Sequence, residues 1–179
     1  MIGTDTEVRT AAARECAEKK PTRVLFVCTG NTCRSPMAAA LYNDFYRSRE
    51  VCSACPHPYE GGDTVALSAG LFARPGDPIT PEAVEALREA GVYPAPGNDY
   101  PSHRAQNVTD ALMDGVDLVV AISARHALEL TMRYPHHAGK ITTLPMDIAD
   151  PFGQGSAAYR ECLMQLRYCL HLMGGGGNV

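Results

Sequence analysis

The sequence lacks several features that would place it in a broad class of protein. No apolar run reaches the 18 residues that a membrane-spanning helix needs, so we expect no membrane partner. Basic residues are not in excess: 16 Lys and Arg stand against 20 Asp and Glu, and a formal charge of −4 argues against nucleic-acid binding. Charges at Asp5, Glu7 and Arg9 stand where a secretory signal would be apolar, which favours a cytoplasmic protein.

The cysteines do not indicate a disulfide-stabilised protein. There are seven of them, an odd number, in a chain without a signal-like segment, which favours reduced thiols. The composition is otherwise that of an ordinary globular protein, with 45% hydrophobic and 20% charged residues. A length of 179 residues is enough for one domain with a proper hydrophobic core.

Strand and helix patterns alternate along the chain. Short apolar runs predict four strands, at 24–27, 65–68, 117–122 and 140–144. Helical patterns separate most of these strands and follow the last one. Such alternation predicts an α/β fold of three layers, in which a four-stranded parallel sheet carries helices on both faces.

The domain organisation follows from where these patterns begin and end. A polar segment without strand signals indicates an N-terminal extension at 1–21. The alternating elements define one domain at 22–173, interrupted by a loop insertion at 51–63 that is rich in Cys, Pro and Gly. The glycine run that follows predicts a flexible tail at 174–179.

The most informative stretch is the loop between the first strand and the helix after it, Val-Cys-Thr-Gly-Asn-Thr-Cys-Arg-Ser-Pro at 27–36. Cys28 ends the strand and Arg34 follows six positions later. Active sites of open parallel sheets lie at the carboxyl ends of the strands. A loop that opens a helix binds anions through its N–H groups, and a guanidinium grips two phosphoryl oxygens at once. The loop is therefore predicted to hold phosphate or another oxyanion above the Cys28 thiolate.

The other residues of the loop support this prediction. Backbone N–H groups of residues 29–34 can surround an anion. Gly30 is expected to supply backbone freedom, and Asn31 to take a left-handed conformation and hydrogen-bond across the loop. Ser35 is expected to cap the helix and to donate a hydrogen bond to the sulfur of Cys28.

A phosphatase also needs an acid that protonates the leaving group. Asp150 lies in a loop after the fourth strand, where it can reach the same edge of the sheet. We predict that Asp150 acts first as general acid and then as general base for the attack of water on a phospho-cysteine. Asp147 is the alternative.

These residues resemble the low-molecular-weight protein tyrosine phosphatase family. The resemblance covers 22–173 and rests on the strings Val-Cys-Thr-Gly-Asn-Thr-Cys-Arg-Ser-Pro-Met-Ala at 27–38, Ser-Ala-Gly-Leu at 68–71, Ser-His-Arg at 102–104 and Asp-Pro-Phe at 150–152. It implies a flavodoxin-like or Rossmann-like phosphatase fold and a phospho-cysteine mechanism without metal or cofactor. Cys28 would be the nucleophile, Arg34 the transition-state clamp and Asp150 the acid.

The resemblance also implies a set of residues that bind phosphate or support the loop: Thr29, Gly30, Asn31, Thr32, Cys33, Ser35 and Ser102. Within this set Asn31, Ser35 and Ser102 would hold the loop and tune the thiolate. His103 matches the family pattern too, in a structural role.

Two residues bear on the substrate. Most family members that act on phosphotyrosine carry a bulkier aliphatic residue where Thr32 stands, whereas the bacterial protein-arginine phosphatases resemble this sequence there. A threonine hydroxyl can orient a water near the phosphorus. Phe152 after the Asp-Pro pair is also as in the arginine phosphatases. We therefore expect a protein substrate that carries phosphoarginine, with phosphotyrosine as the alternative.

Two other functions fit the sequence less well. Arsenate reductases resemble this loop but usually have a polar residue where Pro36 stands, and they need later shuttle cysteines, whereas none lies between Cys55 and Cys162. A non-catalytic phosphate-binding module would not need the intact set of thiol, guanidinium and acid.

Two hypotheses about the other cysteines stay open. Cys52-x-x-Cys55 followed by His57 resembles half of a zinc site, but no second ligand pair accompanies it, so no metal is expected. Cys33 either forms a reversible disulfide with Cys28 that protects the nucleophile from over-oxidation, or fills space beneath the loop.

Overall fold

The computed structural model describes residues 23–48 and 66–173. The predicted N-terminal extension, loop insertion and flexible tail lie outside these residues, as does the motif formed by Cys52, Cys55 and His57. Within the two described ranges, no helix is long and apolar enough to cross a membrane.

A four-stranded parallel sheet forms the centre of the described part of the fold. Its strands are β1 (Val24–Cys28), β2 (Ala66–Gly70), β3 (Leu118–Ala121) and β4 (Ile141–Thr143), in the order β2-β1-β3-β4. All neighbouring pairs are parallel, so every strand ends at the same edge of the sheet. The predicted four-stranded parallel sheet is thus confirmed, and β1 places Cys28 at the middle of its carboxyl edge.

In residues 23–48 and 66–173, five α-helices connect or follow the strands. They are α1 (Arg34–Ser48), α2 (Pro81–Glu89), α3 (Asp110–Asp114), α4 (Ala124–Arg133) and α5 (Ser156–Met173), with 3-10 segments at Tyr100–Ser102 and Pro135–Lys140. The sequence patterns did not predict α3, because a helix of five residues is too short to show a period. It begins where the Thr109 hydroxyl accepts a hydrogen bond from the Leu112 N–H at 3.2 Å.

The two faces of the sheet pack against different helices. Because successive side chains of a strand point to opposite faces, Phe26 and Cys28 of β1 lie on one face, in a core built with α1, α2 and α5. Leu25 and Val27 lie on the other face, in a smaller core that includes residues of α3 and α4. Burial on both faces explains why the whole of β1 is apolar and confirms the three-layer architecture.

The start of α1 corrects one expectation. The helix begins at Arg34, so Ser35 lies inside its first turn and is not the capping residue. Its side chain is fully buried and points to the end of β1 rather than to the N–H groups of the helix. Pro36 is accommodated in the same first turn, where a backbone N–H has no intrahelical partner.

Candidate active site

The Cys28 sulfur lies at the bottom of the loop that joins β1 to α1. Its side chain is buried, and its Sγ lies 3.0 Å from Ser35 Oγ. The backbone N–H of Asn31 donates a hydrogen bond to the same sulfur at 3.3 Å. A hydroxyl and an amide N–H therefore lie against one sulfur, next to the start of α1.

Asn31 holds the loop in its curved shape. Its φ is +58°, so the predicted left-handed conformation is confirmed. Its buried Nδ2 donates to Ser35 Oγ at 3.0 Å and to Ser68 Oγ at 2.9 Å, while its Oδ1 accepts from the Gln106 N–H at 2.9 Å. The backbone oxygen of Asn31 is 2.8 Å from His103 Nε2. With every polar group of Asn31 engaged, the loop is fixed before any ligand binds.

Ser102 does not take the place expected for it. It is exposed at the end of a 3-10 segment, and among the described residues its hydroxyl makes no hydrogen bond to the loop. The hydroxyl that holds Asn31 comes instead from Ser68 on β2, and the neighbouring His103 supplies the contact from the 102–104 segment. The physical reason is topological: β2 runs beside β1, so its side chains lie closer to the loop than those of the exposed segment.

Gly70, rather than Gly30, is the glycine whose missing side chain the site requires. A Cβ at Gly70 would lie 2.6 Å from the Thr29 carbonyl oxygen and 3.1 Å from the Asn31 nitrogen, so the end of β2 could not approach the loop. A Cβ at Gly30 would meet only Thr32 Oγ1, at 3.8 Å, and the φ of Gly30 lies outside the left-handed region. The expected backbone freedom of Gly30 is therefore not used in this structure.

Arg34 places a buried guanidinium at the rim of the loop. It forms an ion pair with Asp150 through Nη2, and its Nη1 donates to the Ile148 carbonyl oxygen at 3.2 Å. Its Nε is buried and has no hydrogen-bond partner among the described residues. A buried donor without an acceptor is costly, and an oxyanion in the loop would supply the acceptor.

The second loop of the site carries the candidate acids. The side chain of Asp150 is half exposed, at 50%, beside the buried Arg34. Phe152 lies two residues further on, is 67% exposed, and donates its N–H to Asp150 Oδ1 at 3.3 Å. Asp147 instead accepts a hydrogen bond from the Ala124 N–H at 2.8 Å, at the start of α4. Of the two acids, only Asp150 lies against the guanidinium.

Thr32 and Cys33 complete the loop. Thr32 is half-buried. The Cys33 sulfur is buried and lies 3.1 Å from the Tyr159 hydroxyl of α5, whose pKa is raised by burial and by this contact. Both Cys28 and Cys33 are free thiols in this structure. These contacts favour the packing role of Cys33 that the sequence left open beside a disulfide.

Both cysteines of α5, Cys162 and Cys169, have a raised pKa because they are buried. Burial raises the pKa of Cys162 to about 12, so its thiol stays protonated at neutral pH. An arsenate reductase would need such a residue as a thiolate shuttle. The environment of Cys162 therefore weighs against that alternative.

One residue near the site was missed by the sequence analysis. His126 lies in the first turn of α4, with Nε2 2.9 Å from Thr29 Oγ1 and Nδ1 2.7 Å from Ser123 Oγ. Burial, followed by the charge of Arg34, lowers the pKa of His126, so the imidazole is neutral at pH 7. Its position shortly after β3 could have indicated a place near the site, because β3 ends beside β1 at the same edge of the sheet.

Comparisons with known proteins agree with this geometry. Residues 23–173 match the family model described as low molecular weight phosphotyrosine protein phosphatase. A protein-arginine-phosphatase of Bacillus subtilis is 33% identical over 154 residues, which are 82% of this chain and 91% of that protein. A probable low molecular weight protein-tyrosine-phosphatase of Ralstonia nicotianae is 32% identical over 148 residues, 80% of this chain and 88% of that protein.

A solved structure resembles the fold over the same region. It is a variant of the YwlE arginine phosphatase with a phosphorylated active-site serine, 32% identical to this chain, with a TM-score of 0.69. The match covers 84% of this chain and 92% of the other. The expected phosphatase fold is therefore confirmed by structure as well as by sequence.

Proposed function

This chain belongs to the low molecular weight phosphotyrosine protein phosphatase family, and from that membership we propose that it removes phosphate from phosphoarginine in proteins. The family hydrolyses phosphorylated proteins by means of a cysteine, which is the chemistry we derive below from this chain's own residues. The single observation that carries the choice of arginine is Thr32, a small hydroxyl residue inside the anion loop. A cysteine that must remain reduced also supports a cytoplasmic site of action.

In the first step, we propose that the Cys28 thiolate attacks phosphorus. The S–P bond forms as the P–N bond to the substrate guanidine breaks, and the leaving nitrogen takes a proton from Asp150. Arg34 and the N–H groups of the loop bind the three phosphoryl oxygens, on which negative charge is carried in the transition state. The Arg34–Asp150 ion pair supports this arrangement, because an incoming phosphate competes with Asp150 for the guanidinium and leaves the acid free to meet the substrate.

In the second step, water attacks the phospho-cysteine. Asp150, now a carboxylate, takes a proton from that water while the S–P bond breaks, which releases phosphate and restores the Cys28 thiolate. Ser35 Oγ, 3.0 Å from the sulfur, can donate a hydrogen bond to the departing thiolate. The charge of the enzyme is then the same as before the cycle.

Thr32 supports an arginine substrate through both size and polarity. The Thr32 side chain is half-buried, and its Oγ1 lies 3.5 Å from Cys33 Sγ within the anion loop. A hydroxyl there can hold a water against the phospho-cysteine, whereas a longer aliphatic side chain would pack against an aromatic leaving group. The oxygen of Asp150 that does not hold the acid proton can in addition accept a hydrogen bond from the guanidinium group that a phosphoarginine presents.

The test compares two matched peptides that differ only in phosphoarginine or phosphotyrosine. We expect the full chain to give a kcat/KM for phosphoarginine at least about tenfold higher, which corresponds to 1.4 kcal/mol of transition-state binding. Thr32→Ile should move the ratio of the two values towards phosphotyrosine by about tenfold. Thr32→Ser, which keeps the hydroxyl, is the matched control and should leave the ratio close to that of the wild type.

Two results would contradict the proposal. Higher turnover of phosphotyrosine by the wild type would make the protein a tyrosine phosphatase of the same family. An unchanged ratio in Thr32→Ile, with the fold intact by circular dichroism, would show that Thr32 does not select the substrate.

A further inference from the structure

A second cluster of chemically active side chains lies at the opposite edge of the sheet from Cys28. The helix α3 leads into the start of β3, and the 3-10 segment Pro135–Lys140 leads into the start of β4. Since the strands are parallel, both starts lie at the amino edge, a strand length away from the anion loop. There Asp110 of α3 meets the adjacent histidines His136 and His137.

The ligand atoms of this cluster converge on one point. His136 Nε2 is 2.7 Å from Asp110 Oδ1, and His137 Nε2 is 3.3 Å from the same oxygen. The three ligand atoms all lie within 4.8 Å of one another. Tetrahedral zinc with bonds of about 2.0–2.2 Å keeps its ligand atoms roughly 3.3–3.5 Å apart. The distance from His137 to Asp110 already has that value, and the hydrogen bond between His136 and Asp110 would lengthen to reach it when a metal ion enters between these two imidazoles and the carboxylate.

A fourth ligand is within reach. Asp114 lies one helical turn after Asp110, on the same face of α3, and its Oδ1 is 3.6 Å from His137 Nε2. Asp110, Asp114 and His136 are all more than half exposed, so the outer side of the cluster is open to water. The fourth position could thus be filled by Asp114 or by a water molecule.

The state of His137 points to a ligand. The residue is only 8% exposed, and its Nε2 is buried without a hydrogen-bond partner among the described residues. The nitrogen nevertheless lies next to two carboxylate oxygens, at distances that exceed or barely reach a good hydrogen bond. A buried polar atom normally has a partner, and a cation between the imidazole and the carboxylates would satisfy all three groups.

We propose that His136, His137 and Asp110 bind one divalent transition-metal ion of the zinc type, with Asp114 or water as the fourth ligand. Imidazole nitrogen and carboxylate oxygen are ligands that zinc accepts in a tetrahedral site. The bound ion would join α3 to the segment that precedes β4, and so brace the amino edge of the sheet. This site has no part in the reaction at Cys28, and the proposal does not depend on the proposed substrate.

The experiment titrates chelator-treated, reduced full-length chain with Zn²⁺ by calorimetry and repeats the titration with Co²⁺ in the spectrophotometer. Asp110→Asn removes a ligand at an exposed position, so this variant is expected to fold. His137→Gln removes the buried ligand. His171→Gln, a change to another exposed histidine on α5, is the matched control. Cobalt separates the proposed nitrogen and oxygen ligands from cysteine, because thiolate ligands add a sulfur-to-cobalt charge-transfer band.

We expect one Zn²⁺ per chain, an affinity at least about tenfold lower in Asp110→Asn and in His137→Gln, and no change in His171→Gln. The cobalt spectrum of the site should lack the thiolate band, and Zn²⁺ should raise the Tm of the wild type but not of Asp110→Asn. An affinity unchanged in Asp110→Asn would overturn the proposal. So would a thiolate band on the tightest site, or the absence of binding at about a hundred-micromolar Zn²⁺.

Discussion

The two loops that meet around Arg34 differ in burial and in hydrogen bonding. The anion loop after β1 is held by a mostly buried hydrogen-bond network, in which Asn31 is joined to Ser35, Ser68 and Gln106. The acid loop between β4 and α5 is mostly exposed, and it holds the carboxylate of Asp150 at the surface. The first loop arranges the groups that any phosphoryl transfer needs, and the second carries the groups that meet the leaving side chain.

This difference separates the buried groups that carry out the chemistry from the more exposed side chains, Thr32 among them, that choose the substrate. A network in which each polar group has a partner is rigid, which suits a nucleophile and an oxyanion site that must be preorganised. An exposed loop makes fewer internal contacts, so its residues can change without disturbing the core. Substitutions of the buried groups of the anion loop are therefore expected to destroy activity, whereas changes at the half-buried Thr32 and in the acid loop should lower activity or change the substrate preference.

The largest effect is expected at the nucleophile. Cys28→Ser should lower kcat by about 10⁴-fold or more, because a serine hydroxyl is not ionised at neutral pH. Phosphate should still bind, since the N–H groups and Arg34 remain. Steady-state kinetics measure the loss of kcat, and a phosphate titration measures the retained binding. Activity within about tenfold of the wild type would show that the anion loop does not supply the nucleophile.

A smaller loss is expected at the acid. Asp150→Asn should lower kcat by about 10²–10⁴-fold, the usual contribution of a positioned general acid. Asp147→Asn is the matched control, because Asp147 accepts a hydrogen bond from the start of α4 and does not touch Arg34. Equal losses in the two variants, measured on the same phosphopeptide, would remove the distinction between these aspartates.

The third prediction concerns stability. Gly70→Ala should lower the free energy of unfolding by about 1–3 kcal/mol, because the added Cβ meets the Thr29 carbonyl oxygen at 2.6 Å. Gly30→Ala, with no contact closer than 3.8 Å, should change it much less. Urea unfolding of both variants tests whether the rigid packing of the anion loop depends on β2. Similar midpoints for the two variants would contradict it.

The smallest effect is a pH dependence. The lowered pKa of His126 means that the unfolded chain binds a proton more readily than the folded one. The neutral imidazole of His126 therefore contributes its full stabilisation of the folded state above about pH 6.5. This contribution is lost as the pH falls below that value. His126→Gln should therefore lose less stability than the wild type between pH 7 and pH 5.5 in urea titrations. His171→Gln, on the surface of α5, should behave as the wild type does. An unchanged pH dependence in His126→Gln would contradict this assignment.

Most of the secondary structure can be predicted from local sequence patterns. The four strands, the major helices and the left-handed Asn31 all follow from runs, periods and turn chemistry that a few neighbouring residues decide. The errors lie where distant segments meet. The sequence predicts that Ser102 supports the loop, whereas Ser68 makes this contact. It predicts backbone freedom at Gly30, whereas Gly70 is the glycine that the close packing requires. His126 and the His136–His137 pair were not recognised, because their partners lie far away along the chain.

The sequence alone determined the functional groups of the candidate site. They are a thiol at the end of a strand, an arginine six residues later, and an acid in a loop after the last strand. Hydrophobic periodicity and turn chemistry are local, so they can be read from the chain. Only the tertiary structure decided which groups meet. The order β2-β1-β3-β4 brings Ser68, His126 and Asp150 to one edge and gathers the histidines at the other. Pairing of parallel strands depends on contacts between distant residues, which no local pattern specifies.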